Sequence, residues 1–195
     1  MFIFKRKHEF KPDRTGTGAL KKLYLTRLQR LRLLKWTMMG LALLVLSLLQ
    51  DAVLSRLSIY GATFDLVACG ILLGCMLFQP DTAAVFGLVS SVLYYFSGTS
   101  PGVYTIALLT VFGVLLCIFR RSFLRRCFST VFFCVSVGLV LYRLSLFVIL
   151  LFLSGTTADR LPVFLICAGL SIVAIPLLYP VLTAISSIGG ESWKE

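Results

Sequence analysis

The chain has 195 residues, 58% hydrophobic and 14% charged, with a mean hydropathy of +0.96 and a net charge of +11. Soluble domains are about 45–50% apolar and about 25% charged, so the apolar excess is larger than one buried core can use. A soluble enzyme, a disordered chain and a secreted disulfide scaffold are excluded, and a polytopic membrane protein is expected.

Charge is unevenly placed. Residues 1–35 hold eleven Lys/Arg and two acids, whereas the other 160 residues hold eight Lys/Arg and six acids. The predicted organisation is a basic cytoplasmic arm over 1–35, a six-helix transmembrane domain over 36–188 and a short cytoplasmic tail over 189–195. Within the arm, residues 1–18 carry Pro12 and two glycines. Residues 20–35 place Leu20, Leu23, Tyr24, Leu28, Leu31 and Leu34 at helical spacing, with Lys21, Lys22, Arg27, Arg30, Arg32 and Lys35 between them. This pattern predicts a basic amphipathic helix lying among anionic lipid headgroups. Each cation there contributes on the order of 1 kcal/mol. Docking of an acidic cytoplasmic partner is the alternative. No aromatic interleaving or base-reading motif accompanies the charge, so nucleic acid is not an expected partner. The basic stretch exceeds a signal-peptide n-region and no small-x-small site follows, so the arm is expected to be retained.

A helix needs about 20 apolar residues to cross a hydrocarbon core about 30 Å thick. Six candidate spans follow in order: 33–54, 64–78, 82–96, 102–119, 128–153 and 162–185. The second and third are short and joined only by Gln79-Pro80-Asp81. They form either a hairpin of thin spans or a partly re-entrant pair. With the N-terminus inside, six spans put the arm, the loop cations Arg120, Arg121, Arg125 and Arg126, and Lys194 on the cytoplasmic side. Only Arg56 and Arg160 then lie in outer loops, as the positive-inside rule requires. The expected fold is an all-α, six-helix membrane bundle with both termini in the cytoplasm.

Catalytic chemistry finds few residues. The lone histidine, His8, lies in the arm, so no span offers a Ser/His or Cys/His pair or a zinc motif. Cys69, Cys75, Cys117, Cys134 and Cys167 lie in spans and Cys127 at a boundary, with no C-x-x-C pair. They read as small packing residues. No enzyme, metal or cofactor is expected.

Charge at membrane depth is costly and usually paired. Arg143 lies about 22 Å along the fifth span at 1.5 Å per residue, beyond the midplane. Asp65, at the outer start of the second span, or Asp51, at the outer end of the first, would pair with it. Alternatively Arg143 snorkels outward alone and Asp65 only caps its helix. Gly70-x-x-x-Gly74, and Ala83, Gly87 and Ser91 at every fourth residue, form small-residue ridges suited to an internal helix–helix seam rather than a dimer face. Ser97-Gly98-Thr99-Ser100-Pro101-Gly102 reads as a tight turn, and Pro176 and Pro180 are expected to kink the last span.

The order and spacing of several of these features resemble the MreD family, membrane proteins of bacterial rod-shape determination. Gln50 closes the first span, and Phe64-Asp65-Leu66 is similar to the family's Pro-Asp-Leu opening of the second. Phe86-Gly87-Leu88, Ser97-Gly98 and Pro101-Gly102-Val103-Tyr104 resemble its following stretch, before an arginine-rich loop and a proline-containing last span. The likeness covers residues 36–185 and is strongest over 64–126. Two positions depart from it: Phe64 replaces a proline, and Tyr94 replaces an acid four residues before Gly98. The resemblance implies a non-catalytic scaffold of the peptidoglycan elongation complex in the bacterial cytoplasmic membrane. Its implied partners are an MreC-like bitopic protein, a RodA-like glycosyltransferase with its class B penicillin-binding protein, and MreB filaments. Such chains are also similar to the S-components of energy-coupling-factor vitamin transporters. That alternative makes Tyr94, Tyr95, Tyr104 and Arg143 ligand contacts.

Overall fold

The computed structural model describes residues 27–52, 61–98, 100–123, 128–153 and 155–187, with side chains given for all but 27–29 and 123. His8, Lys21, Lys22, Arg56, Arg125, Arg126, Cys127 and the 189–195 tail lie outside the described residues. Seven α-helices account for most of the described chain: α1 (Arg27–Ala52), α2 (Leu66–Leu77), α3 (Pro80–Phe96), α4 (Tyr104–Phe123), α5 (Phe128–Phe152), α6 (Leu161–Val173) and α7 (Ile175–Ser186). A single 3-10 turn, Ala158–Arg160, precedes α6.

Breaks between helices fall where backbone chemistry demands them. Asp65 caps α2, its side chain accepting from the Ala68 N–H, which satisfies an otherwise orphaned donor. The α2–α3 joint is set by Pro80, which lacks an N–H and disfavours helical geometry at Gln79 before it. Gln79 is accordingly extended and Pro80 opens α3. Gly98 and Gly102 turn the chain from α3 to α4 with φ of +78° and +151°, conformations that side chains with a Cβ resist. The last apolar segment bends by 50° between α6 and α7. The bend falls at Ala174, because Pro176 offers no N–H to the Ile172 carbonyl. Pro180 stays inside α7, so only one of the two prolines anticipated as kinks coincides with the break.

The portion of the arm within the described residues does not form a separate surface helix. Arg27–Lys35 is the first part of α1, continuous with its apolar stretch. Three helical segments are long and apolar enough to cross a membrane: Arg30–Ala52, Tyr104–Ser122 and Phe128–Phe152, with the bent α6–α7 pair as a fourth if it counts as one span. Apolar side chains line their outer faces, including Leu41, Leu44, Val45 and Leu48 on α1 and Val111, Leu115 and Ile118 on α4. In water such stripes would drive association; against lipid they are the favoured surface. The described residues therefore form an all-helical, membrane-embedded bundle.

Helix α2 is the centre of the bundle. Every residue from Leu66 to Met76 is buried, and α2 packs against all six other helices. A helix apolar on every side is stable only when enclosed. Small residues permit that enclosure. A Cβ at Gly70 would meet Leu46 at 3.0 Å, and one at Gly74 would meet the Phe86 ring at 2.6 Å. A Cβ on Gly87 would meet the Cys75 sulfur at 3.2 Å. Both small-residue ridges thus lie at internal seams, joining α2 to α1 and α3, and α3 to α4. The Phe86 ring cannot yield freely, being packed against Phe78 at 5.0 Å and Trp36 at 6.2 Å between centroids.

We predict that Gly74→Ala destabilises the folded protein by about 1–3 kcal/mol through overpacking. Gly40→Ala, where the added methyl meets no atom within 4 Å, should be neutral or stabilising. Thermal melts of the two variants in one detergent check the contrast.

Candidate functional site

The densest polar cluster in the described structure surrounds the start of α2. Asp65 is 1% exposed and Arg143 7% exposed, and the Arg143 Nη2 forms a salt bridge with Asp65 Oδ2. The other carboxylate oxygen, Oδ1, accepts from the Ala68 backbone N–H at 3.0 Å and from the Tyr94 hydroxyl at 3.0 Å. The Asp65 N–H donates to Ser171 Oγ at 3.1 Å, and the Ser171 hydroxyl donates onward to the Cys167 carbonyl at 2.8 Å. Gln50, in the last turn of α1, completes the cap: its Oε1 accepts the Val67 N–H at 3.0 Å. One acidic residue therefore joins α2, α3, α5 and α6, and Gln50 ties α1 to the same helix start.

The energetics favour a fixed geometry. Both charges are removed from water, which costs several kcal/mol per ion and is recovered only by close pairing and hydrogen bonding. Asp65 meets this requirement with one guanidinium and two further donors, and sits at the positive end of the α2 dipole. The Arg143 guanidinium also lies 5.6 Å from the Tyr142 ring centroid, within cation–π range. Chemically, the arrangement holds five helices in register.

Pairing and capping, posed as alternatives for Asp65, occur together: one oxygen takes the cap and the other takes Arg143. Of the two acids considered for Arg143, Asp65 takes it, while Asp51 sits half-buried in the last turn of α1. Gly98, Pro101 and Gly102 form the α3–α4 turn. Arg120 and Arg121 occupy the last turn of α4, at the opposite end of the bundle from Asp65. Arg30 and Arg32 are exposed on α1, whereas Lys35 is buried with its Nζ 5.1 Å above the Phe78 ring. Of the four residues named as ligand contacts, Tyr94 and Arg143 are both committed to Asp65, and Tyr95 and Tyr104 are exposed.

Three partners of Asp65 and its helix were not anticipated in these roles: Tyr94, Ser171 and Gln50. Tyr94 extends the Ala83–Gly87–Ser91 ridge by three residues and so shares its inward face, a signal present in the sequence. Gln50 and Ser171 are isolated polar residues in apolar runs, which require internal partners at membrane depth. The cysteines do more than fill space. The Cys117 thiol donates to the Phe78 carbonyl at 3.3 Å and Cys167 to the Thr63 carbonyl at 3.2 Å, satisfying acceptors next to the two ends of α2. No group of three metal-ligating side chains converges among the described residues.

No family model, curated protein or solved structure matches the chain.

Removing either partner of the buried pair should cost about 3–5 kcal/mol by leaving an uncompensated charge. Asp65→Asn and Arg143→Met are each expected to lower the melting temperature sharply. The double variant should lose clearly less than the sum of the two, and a double-mutant cycle in detergent measures this coupling.

Proposed function

We propose that the chain is a non-catalytic membrane scaffold of the bacterial peptidoglycan elongation complex, a divergent member of the MreD family. In this reading it crosses the cytoplasmic membrane six times, with both termini in the cytoplasm. The observation that carries the reading is the hydrogen bond between Tyr94 and Asp65, residues 29 apart in sequence. Asp65 belongs to the segment most like the family's, and Tyr94 stands where the family has an acid. A position that matches the family and one that departs from it therefore meet in space in the polar cluster at the start of α2.

Enclosure of α2 supports the span count. Helix α2 has twelve residues, about 18 Å at 1.5 Å per residue, too short to cross a lipid core unaided. Surrounded by other helices, it faces protein instead of lipid, and its ends need not reach both headgroup layers. Helices α2 and α3 then serve as two thin crossings and α6–α7 as one bent crossing. Arg30, Arg32, Lys35, Arg120 and Arg121 gather at one end of the bundle, which the positive-inside rule assigns to the cytoplasm. The Asp65 network then lies toward the outer face. Both Asp65 oxygens are engaged within the protein, although the buried Arg143 Nε and Tyr142 hydroxyl have no hydrogen-bond partner among the described residues; we assign recognition to the apolar outer ridges, where Val85, Leu88 and Val89 of α3 are exposed. Such ridges suit the membrane helices of an MreC-like protein, a RodA-like glycosyltransferase and its penicillin-binding protein, with MreB filaments reached from the basic end.

A mild-detergent pull-down of the tagged chain from native membranes, with partners identified by mass spectrometry, tests the proposal. We expect an MreC-like protein or the elongation synthase to be recovered. Recovery of a transmembrane coupling subunit with paired ATPases would overturn the scaffold and identify a vitamin-transporter S-component.

A further inference from the structure

Where α4 and α5 meet the Asp65 cluster, three polar atoms are enclosed without being paired. Tyr142 and Thr105 are each 0% exposed, and the Arg143 guanidinium lies against the Tyr142 ring. The Tyr142 hydroxyl, Thr105 Oγ1 and Arg143 Nε have no hydrogen-bond partner among the described residues. The two hydroxyls are close enough to interact, but without a hydrogen bond of normal geometry.

The helices explain why these atoms are left over. Elsewhere in the bundle a hydroxyl inside a helix donates to a carbonyl one turn back: Thr110 to Ile106 at 2.7 Å, Ser136 to Phe132 at 2.7 Å and Ser171 to Cys167 at 2.8 Å. Thr105 stands in the first turn of α4, where no helical carbonyl precedes it, and the Gly102 carbonyl behind it accepts Thr105's own backbone N–H. Tyr94 reaches an Asp65 oxygen, but with the α2 cap and Arg143 also in place both oxygens are engaged before Tyr142 can claim one. Arg143 gives Nη2 to the carboxylate, which leaves Nε for another acceptor.

Bulk water does not reach such atoms inside an apolar bundle, and buried polar atoms that stay unpaired are costly. Neighbouring groups of this kind are where an internal water is retained, making about three hydrogen bonds to otherwise unpaired atoms. An anion could accept from the same three donors. However, Asp65 already balances Arg143, so no net positive charge repays the dehydration of an ion.

We infer that one resident water bridges Tyr142, Thr105 and Arg143 Nε, accepting from the guanidinium and one hydroxyl and donating to the other. This water brings α4 into the Asp65 network, which direct hydrogen bonds extend to α1, α2, α3, α5 and α6. The site is independent of the scaffold proposal, since it belongs to the fold whatever proteins the outer ridges meet.

The test applies X-ray hydroxyl-radical labelling to the full chain in detergent, in isotopically labelled water, with modification read residue by residue by mass spectrometry. A fully buried tyrosine is labelled where a water is held against it. Leu139, one turn away on α5, and Met76, a more readily oxidised side chain, are equally buried and control for local and general solvent entry. Tyr142 should be labelled severalfold above both. Thr105→Val, nearly isosteric, should cut that label severalfold and lower the melting temperature by about 2–4 °C. Protection of Tyr142 to the level of the controls in the wild type would overturn the site, and that result depends on no variant folding. An unchanged label in Thr105→Val, or a higher melting temperature, would overturn the bridge, because deleting an orphaned hydroxyl relieves a cost. A label or stability that follows chloride when it is exchanged for gluconate would show a bound anion in place of water.

Discussion

A carboxylate and a guanidinium placed together inside an apolar bundle leave the surrounding structure little freedom. Each ion is expensive to dehydrate, and the pair is tolerated only where geometry and additional donors are close to ideal. In this protein the additional donors come from different helices: the Tyr94 hydroxyl from α3, the first turn of α2, and Arg143 itself from α5. Ser171 on α6 holds the Asp65 backbone. Sliding any one of these helices by a turn would break a bond to a buried charge. The pair thus specifies register, a role for which buried ionic groups are best known, rather than adding net stability.

Packing around α2 makes that specification possible. Lipid gives helices no hydrophobic reason to associate, so association in a membrane rests on close contact and internal hydrogen bonds. Gly70, Gly74 and Gly87 let neighbouring helices approach α2 and α3 within the space that one methyl group would fill. The thiols of Cys117 and Cys167 then reach carbonyls next to either end of α2. A twelve-residue helix sheathed in this way can hold a charged cap at one end without exposing it to hydrocarbon.

The bundle is consequently polar at its two ends for different reasons. At the Asp65 end, opposite charges meet within the protein and are neutralised there. At the other end Lys35 lies against the Phe78 ring, and Arg120 and Arg121 occupy the last turn of α4. The first arrangement fixes the fold. The second gathers cations at the end that the proposed topology assigns to the cytoplasm.

Local chemistry in the sequence determined the class of the molecule and most of its punctuation. The apolar excess required membrane helices. Pro80, Gly98, Gly102 and Pro176 marked breaks through backbone geometry that neighbouring residues cannot change, and Asp65 read as a helix cap because capping depends on the next three residues alone. Arg143 was legible as a charge in need of a partner, and its partner was narrowed to two acids. Only the tertiary structure decided between them, because the choice depends on how α5 docks beside α2, 78 residues away in sequence. It also decided that the shortest apolar segment is the centre of the bundle, and that Tyr94, Ser171 and Gln50 converge on its first turn. Lys35 became a buried residue for the same reason: the ring that covers it belongs to a turn 43 positions along the chain, brought close by the packing of α1 against α2. Such pairings arise from surface fit between helices, which hydropathy and residue spacing along a single helix do not encode.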